Sequence, residues 1–380
     1  MNDDIRKLFP ITERYTYLDH ASVAPVSTDV IDGMNWFLRD VQSGGPVNFP
    51  QWMKRMHEVK EMVGRLINGR AAQIAFVAST SEGVSIIANG IAWKPGDNVV
   101  SCADEFPANI YPWMNLAGRG VKLKLAPSHH GRVLTEEILD LIDERTRVVA
   151  LSFVQYATGQ RMDIATIGKY CRERGVLFFV DAIQGLGVLH LDVEANFIDS
   201  LTANSHKFLL GPGGVAVFYI SEQMMAQIEP SVAGWLSVEN AAEAFSPNLT
   251  YKLDQPLHWR SSAARYEPGN PNLAGIFGLG AALETILEVG IDQIEAHVLK
   301  LTDRLCEGLL QKGYDIVSPR SQKEKSAIVC CTHPDHSSTE IREKLLAGNI
   351  VIADRCGRAR IAPHLYNTEE EIDRILAMLP

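Results

Sequence analysis

Two residues in this sequence could do covalent chemistry together. Lys207 lies in TANSHKFLLGPGG, between a short mixed segment and a glycine-rich turn. Lysine forms Schiff bases with carbonyl compounds. Asp181 stands 26 positions earlier, where the apolar run VLFFVD gives way to AIQG, with Gln184 close behind it. Alone, the lysine reads as a solvated charge and the aspartate as a helix N-cap. Together they match what pyridoxal 5′-phosphate (PLP) requires. A lysine engages the aldehyde, and a carboxylate keeps a proton on the pyridine nitrogen, so that the ring becomes an electron sink. Two further segments fit that ligand. STSEG, Ser79–Gly83, opens a helix with hydroxyls and free backbone N–H groups. That is an anion site and also a capping box from Ser79 to Glu82. DEFPANIYPW places Phe106 where a flat ligand can stack, with a core phenylalanine as the equal alternative.

Such residues need a scaffold that gathers distant segments. QIAFVAS, NVVSCA, VKLKLAP, RVVALSFV, VLFFVDA and GGVAVFYI are short apolar runs rich in β-branched residues, and each reads as a strand. Helical stretches alternate with them: SEGVSIIANGIAW, TEEILDLIDER, and DIATIGKYCRERG, which stops at Gly175. This alternation predicts a mostly parallel sheet between helices, whose ligand sites lie beyond the carboxyl ends of the strands. From about Asn272 the texture changes. Two long helices, LAGIFGLGAALETILEVG and IDQIEAHVLKLTDRLCEGLLQKG, lead into a compact α+β lobe ending in TEEEIDRILAML. The segment Val232–Pro268 is rich in Pro, Gly, Trp and Ser and reads as a long surface excursion.

The bulk numbers narrow the function. Two lobes suit 380 residues, and a net charge of −10 favours neither nucleic acid nor an anionic membrane as partner. MNDDIRKLFP has no apolar run, no signal peptide is expected, and no stretch approaches the roughly 20 apolar residues of a membrane helix. A cytoplasmic location follows as the expectation. Cys102, Cys171, Cys306, Cys330, Cys331 and Cys356 have no zinc-like spacing, so free thiols and no metal are expected. GLGAAL lies inside an apolar helix, where small residues mean close packing; no nicotinamide-type GxGxxG turn follows a first strand.

The order T-S-E-G, E-F-P-A-N-x-x-P-W, D-A-x-Q-G, S-H-K and G-P-G-G resembles the class V aminotransferase family of fold-type I PLP-dependent enzymes. YLDHASVAPVS, RYEPGNPN and RIAPHLYNTEEEID extend that resemblance over nearly the whole chain. It implies the fold-type I PLP-dependent transferase fold, an α/β architecture. A large domain over residues 16–275 would hold a seven-stranded, mostly parallel sheet, and residues 276–380 with 1–15 would form a small α+β domain. It implies that Lys207 carries the cofactor and later moves the substrate's α-proton. Asp181 would pair with the pyridine nitrogen. Gln184 would donate to the phenolic oxygen, with Gln155 as a second contact. Thr80, Ser81 and His206 would bind phosphate, assisted by Ser205 or Asn204. Asn270 and Trp235 would reach a partner subunit's phosphate in a homodimer. Arg360 would clamp the α-carboxylate, a bidentate task for guanidinium. His20, Ala21, Trp113 and His364 are candidates to line the side-chain end.

Two departures matter. Cysteine desulfurases carry a histidine where Phe106 stands, and phenylalanine can stack but cannot move protons. They also carry a nucleophilic cysteine in a flexible loop, whereas ADRCGRARIAP is short and makes Cys356 a bystander. The overall pattern points to a lyase of the desulfurase and selenocysteine lyase type acting on a sulfur-containing amino acid. An aminotransferase or epimerase is the alternative, and a non-catalytic PLP-binding regulator a remote one.

Overall fold

The computed structural model describes residues 3–247, 250–251 and 253–380; residues 1 and 2 of the expected small domain, and residues 248, 249 and 252 of the expected excursion, lie outside the described residues. Seven strands form one sheet: β1 Ile74–Val77, β2 Asn98–Cys102, β3 Lys122–Ala126, β4 Thr146–Ser152, β5 Leu177–Asp181, β6 Ser200–Asn204 and β7 Ala216–Ile220. Their order is β1-β7-β6-β5-β4-β2-β3. Every pairing from β6 to β3 is parallel, and β7 alone runs antiparallel to its neighbours β1 and β6. Strand side chains alternate between faces. In β5, Phe178 and Val180 therefore join one apolar core while Leu177 and Phe179 join the other. Burial on both faces explains why these strands read as continuous apolar runs. β3 closes one edge and carries Lys122 and Lys124, charges that blunt an open ladder.

Helices cover the faces. α1 (Thr28–Gly44) and α2 (Phe49–Ile67) pack against α5 (Leu273–Val289), while α3 (Thr80–Gly90) and α4 (Ile164–Arg174) follow β1 and β4. α5 is apolar nearly all round because neighbours enclose it. A Cβ on its Gly278 would come within 2.8 Å of Met34, and one on Gly280 within 2.8 Å of Val59. The small residues of GLGAAL are thus a packing feature. No single helix among the described residues is long and apolar enough to cross a membrane.

The second lobe has a four-stranded antiparallel sheet, β8 Asp315–Ile316, β9 Val329–Thr332, β10 Ala353–Arg355 and β11 Arg358–Ile361, ordered β8-β9-β11-β10. α6 (Ile291–Gln311), α7 (Ser338–Ala347) and α8 (Glu369–Met378) enclose a separate core with Leu301, Val329, Ile361 and Ile372. The expected division at residue 275 falls inside α5. Thr16–Tyr17 pairs in parallel with Ile350–Val351, and Leu18 enters the second core, so the N-terminal strand crosses between lobes.

Within Val232–Pro268 the described residues hold two 3-10 turns, Ala241–Phe245 and Ala263–Tyr266, and an antiparallel bridge between Val238 and Trp259. This excursion is tethered where it ends. Glu267 is buried, accepts from Lys60 Nζ at 2.8 Å and from the Phe76 N–H at 2.8 Å. Removing one member of a buried ion pair strands the other. Lys60→Met is expected to lower the unfolding free energy by about 3 kcal/mol in denaturant titration. The double variant Lys60→Met/Glu267→Gln should lose less, and equal losses would refute the pair's role.

Candidate active site

The carboxyl ends of the parallel strands bring the chemistry-bearing segments together. Asp181 is the last residue of β5, and Lys207 follows the neighbouring β6 by three residues. The two strands are hydrogen-bonded, with Asp181 in register with Thr202. Asp181 is buried and accepts a hydrogen bond from the Ile183 N–H at 3.0 Å. Burial pushes its carboxyl up to about 7 against that bond and the nearby ammonium, while Glu105 pushes it the same way as burial. Burial lowers Lys207 to about 8; Asp181 opposes this, and Arg360 and Arg355 reinforce it. The amine faces Phe106, whose ring centroid is 5.8 Å from Nζ. Phe106 follows β2 and is 45% exposed, so part of its ring is accessible to a ligand.

A buried carboxylate behind Phe106, Glu105, orders this end of the sheet. It accepts from the Ser152 N–H (2.6 Å), Ser152 Oγ (2.6 Å), Gln155 Nε2 (2.9 Å) and Asn109 Nδ2 (3.0 Å). Burial raises its pKa and these bonds lower it. An acceptor-only carboxylate fixes the orientation of Gln155, whose NH2 is spent on Glu105. Gln155 Oε1 is left buried without a partner. Gln155, expected as a second contact to the ligand, thus has its buried amide oxygen unspent. Gln184 donates through Nε2 to the Ala21 carbonyl at 3.1 Å, and its Oε1 is likewise buried and unpartnered.

α3 begins beside this pair. Ser79 Oγ accepts from the Glu82 N–H at 3.2 Å, and Glu82 Oε2 accepts from the Ala78 N–H at 2.6 Å. The Glu82 half of the box reaches one residue further back than expected. Thr80 and Asn204 are locked together, with the Thr80 N–H on Asn204 Oδ1 (2.9 Å) and the Asn204 N–H on Thr80 Oγ1 (3.2 Å). Ser81 is exposed at the helix start, and His206 is half-buried with its pKa lowered, chiefly by burial. Ser205 does not face the helix start as expected. Its hydroxyl donates to the Pro212 and Val215 carbonyls and staples the GPGG turn.

Arg360 lies on β11 and is 2% exposed. It donates to Ser22 Oγ (2.6 Å), the Tyr156 carbonyl (3.1 Å) and Asp19 Oδ1 (3.5 Å), while its Nε is buried and unpartnered. Tyr156 sits edge-on to Phe106 with centroids 5.1 Å apart, and its hydroxyl is 3.7 Å from Cys356 Sγ. Cys356 is an exposed residue of the β10–β11 turn, not a strand residue. Of the candidate liners, Ala21 touches Gln184, but the other three belong to the interior. His20 bonds the Ala362 carbonyl and the Tyr366 hydroxyl, His364 bonds the Phe208 carbonyl, and Trp113 packs edge-on to Phe179. Asn270 is exposed just after the excursion, and Trp235, within it, packs edge-on to Phe245, 5.6 Å away. Glu105, Tyr156, Asp19, Ser22 and Arg355 are additions to the residues picked from sequence. Asp19 and Ser22 lie within YLDHASVAPVS, and Glu105 within EFPAN, so the motifs held the signal but not the roles.

These residues fit PLP. A buried amine awaits an aldehyde, and a buried carboxyl can hold a proton opposite a ring nitrogen. A phenyl ring is partly exposed, a helix starts nearby, and the buried unpartnered atoms of Gln155, Gln184 and Arg360 await polar neighbours. The comparisons agree. A model of the family described as aminotransferase class-V matches residues 16–375. A probable cysteine desulfurase from Methanothermobacter thermautotrophicus is 28% identical, over 97% of this chain and 95% of its own. The apo cysteine desulfurase of Thermococcus onnurineus superposes with a TM-score of 0.90 at 25% identity, over 99% of this chain and 96% of its own. A cystine C–S lyase in complex with cysteine persulfide shares the fold, with a TM-score of 0.87 at 23% identity over 97% and 98%.

The lowered Lys207 pKa has a direct consequence. An amine is nucleophilic only when neutral, so the lysine gains reactivity as pH rises through about 8 and not near 10.5. In the apoprotein, the rate of Schiff-base formation with added PLP is expected to rise to a plateau with a midpoint near pH 8. A midpoint above 10 would refute the buried-amine account. Lys207→Ala should abolish the borohydride-fixed adduct.

Proposed function

This chain belongs to the class V aminotransferase family, and from that premise we propose that it is a PLP-dependent lyase. On this reading it removes the α-proton of a sulfur-containing amino acid and releases the β-sulfur substituent. The observation that carries the reading is the convergence of Lys207, Asp181 and the Phe106 ring at the carboxyl ends of the strands, with Arg360 beside them. The similarity to proteins described as cysteine desulfurases supports the lyase branch.

When bound, PLP supplies the electron sink that makes a Cα proton removable. The protein's part is positioning and proton handling. The Arg360 guanidinium, steadied by Asp19 and the Tyr156 carbonyl, receives the α-carboxylate, with its unpartnered Nε available as a donor. Lys207 Nζ, near neutrality by burial, takes the Cα proton, since a general base works best with a pKa near the operating pH. Asp181, raised toward neutrality, can hold a proton at its carboxyl and would be the partner for the ring nitrogen of bound PLP. Phe106 would offer bound PLP a ring to stack on, and it moves no proton.

We also infer a homodimer in which Asn270 and Trp235 serve the neighbouring site. Val47, Phe245, Tyr251 and Leu253 are exposed apolar side chains on α2's approach and on the excursion, a pattern that suits a subunit contact. Light scattering should give twice the chain mass; an active monomer would refute the shared site.

The decisive experiment is an amino-acid panel on the holoenzyme, following thiol or sulfide, pyruvate, alanine and the pyridoxamine form in parallel. Sulfur release with catalytic amounts of enzyme supports the lyase. Accumulation of the pyridoxamine form with equimolar keto acid would sink it in favour of transamination. Arg360→Gln is expected to raise KM about a hundredfold, on the order of 3 kcal/mol, with kcat less affected. An unchanged KM would remove Arg360 from carboxylate binding.

A further inference from the structure

The β10–β11 hairpin carries Arg355, Arg358 and Arg360 around the Cys356–Gly357 turn. Elsewhere, half-buried guanidiniums meet carboxylates at short range: Arg6 with Glu371, Arg161 with Glu295, Arg320 with Asp303. On this hairpin, among the described residues, the only such carboxylate is Asp19, and it reaches Arg360 alone at 3.5 Å. The adjacent Asp354 is turned onto the hydroxyls of Ser338 (2.8 Å) and Thr339 (2.7 Å). Arg358 is engaged by the Ala157 carbonyl at 3.0 Å.

Arg355 is different. It is exposed and donates to the Asp354 carbonyl (3.0 Å) and to Ser22 Oγ (3.2 Å). Ser22 Oγ also accepts from Arg360 at 2.6 Å. Two guanidiniums therefore converge on one hydroxyl oxygen, and their terminal nitrogens stand two hydrogen bonds apart. Each has five N–H donors, more than these acceptors use. Arg355 also lies within electrostatic range of the Lys207 amine. Of the three basic groups at this mouth, Lys207 has Asp181 beside it and Arg360 has Asp19 at ion-pair distance, whereas Arg355, among the described residues, has no carboxylate that close, and a ligand with a single carboxylate leaves it without an ion pair. Phe106 and Tyr156 flank the same opening, and aromatic rings make favourable contacts with sulfur.

The geometry points to Arg355 as a specificity determinant that binds a second anionic group at the far end of the substrate's side chain, while Arg360 takes the α-carboxylate. The inference rests on the C–S lyase reading. It names the substrate class as S-substituted cysteines whose sulfur substituent ends in an acid. The bond changes are those of β-elimination. The Cα proton passes to Lys207 Nζ, and the Cβ–S bond breaks with its electron pair going to sulfur. One water then completes the balance, giving pyruvate, ammonia and the thiol. No oxidant or reductant is required.

The test uses a pair of substrates that differ in one charge, S-carboxymethyl-L-cysteine and its neutral amide S-carbamoylmethyl-L-cysteine. With holoenzyme, binding is read from the change in cofactor absorbance, and turnover from release of the free thiol. The wild type should bind the acid at least tenfold more tightly than the amide. Arg355→Gln, at an exposed position, should bring the two within about twofold, and Arg355→Lys should restore part of the preference. A wild type that treats both alike, or an Arg355→Gln variant that discriminates as the wild type does, overturns the inference. If the acid binds preferentially through Arg355 and neither compound releases thiol, the anion site stands and the lyase reading fails. If both release thiol with equal KM, the lyase reading stands and the anion site fails.

Discussion

An amine and a carboxyl held out of water at the ends of two adjacent strands set the terms for the rest of this structure. Burial disfavours the charge on each, and their mutual attraction favours both charges. Neither effect wins outright, so Lys207 rests near 8 and Asp181 near 7, both close to physiological pH. An exposed pair could not do this, because solvent would hold each group at its ordinary value. Glu105 sharpens the balance. It is a second buried carboxylate with hydrogen-bond donors in place of a cation, and its field raises Asp181 further.

Holding such groups in place takes contacts from both lobes. Lys207 is fixed from behind through its own chain. Gly187 has φ +97, and a Cβ there would sit 2.2 Å from the Phe208 carbonyl, so only glycine permits that approach. His364 Nε2–H donates to the same carbonyl at 2.8 Å. Its other nitrogen accepts from the Leu365 N–H at 2.7 Å, and burial lowers its pKa to about 4, so the ring is neutral and its tautomer set. His364 belongs to the second lobe's segment, as does Arg360. The N-terminal strand crosses between them: Asp19 bridges Ala362, Asp19 and Ser22 hold Arg360, and the Ala24 N–H bonds the His206 carbonyl. The N-terminal segment is therefore hydrogen-bonded both to the arginine and to the residue preceding the lysine.

Sequence made some of this legible and not the rest. The strand runs were readable because a sheet buried on both faces imposes unbroken apolar stretches, and Asp181 and Lys207 followed from reading what comes after each strand. α1 and α2 did not stand out. Their apolar residues mix with Trp, Met and charged positions, and their partner α5 lies more than 200 residues away. The roles of Gln155 and Ser205 depended on which acceptor each donor finds in space, Glu105 and the GPGG turn, which no local pattern specifies. Glu105 itself resembles an ordinary surface acid until four donors are seen around it. His20, Trp113 and His364 look like pocket residues by type, yet their polar atoms are satisfied within the interior or its backbone.

Phe106 bears on the reaction through what it cannot do. Phe106 cannot carry a proton, which leaves Lys207 and the Tyr156 hydroxyl as the nearby groups of the described site that can. Burial raises the Tyr156 pKa, and the hydroxyl remains a neutral donor. A leaving group that needed full protonation would be poorly served by this set. A thiolate does not need it, because a thiol of pKa about 8.5 departs readily as its anion near neutral pH. Chemistry that breaks a C–S bond therefore asks least of the one position where this site lacks a proton carrier. An exposed phenyl ring is a liability on a surface and an asset against a flat ring or a sulfur atom. The same substitution that removes a proton relay leaves an aromatic ring 5.8 Å from the Lys207 amine.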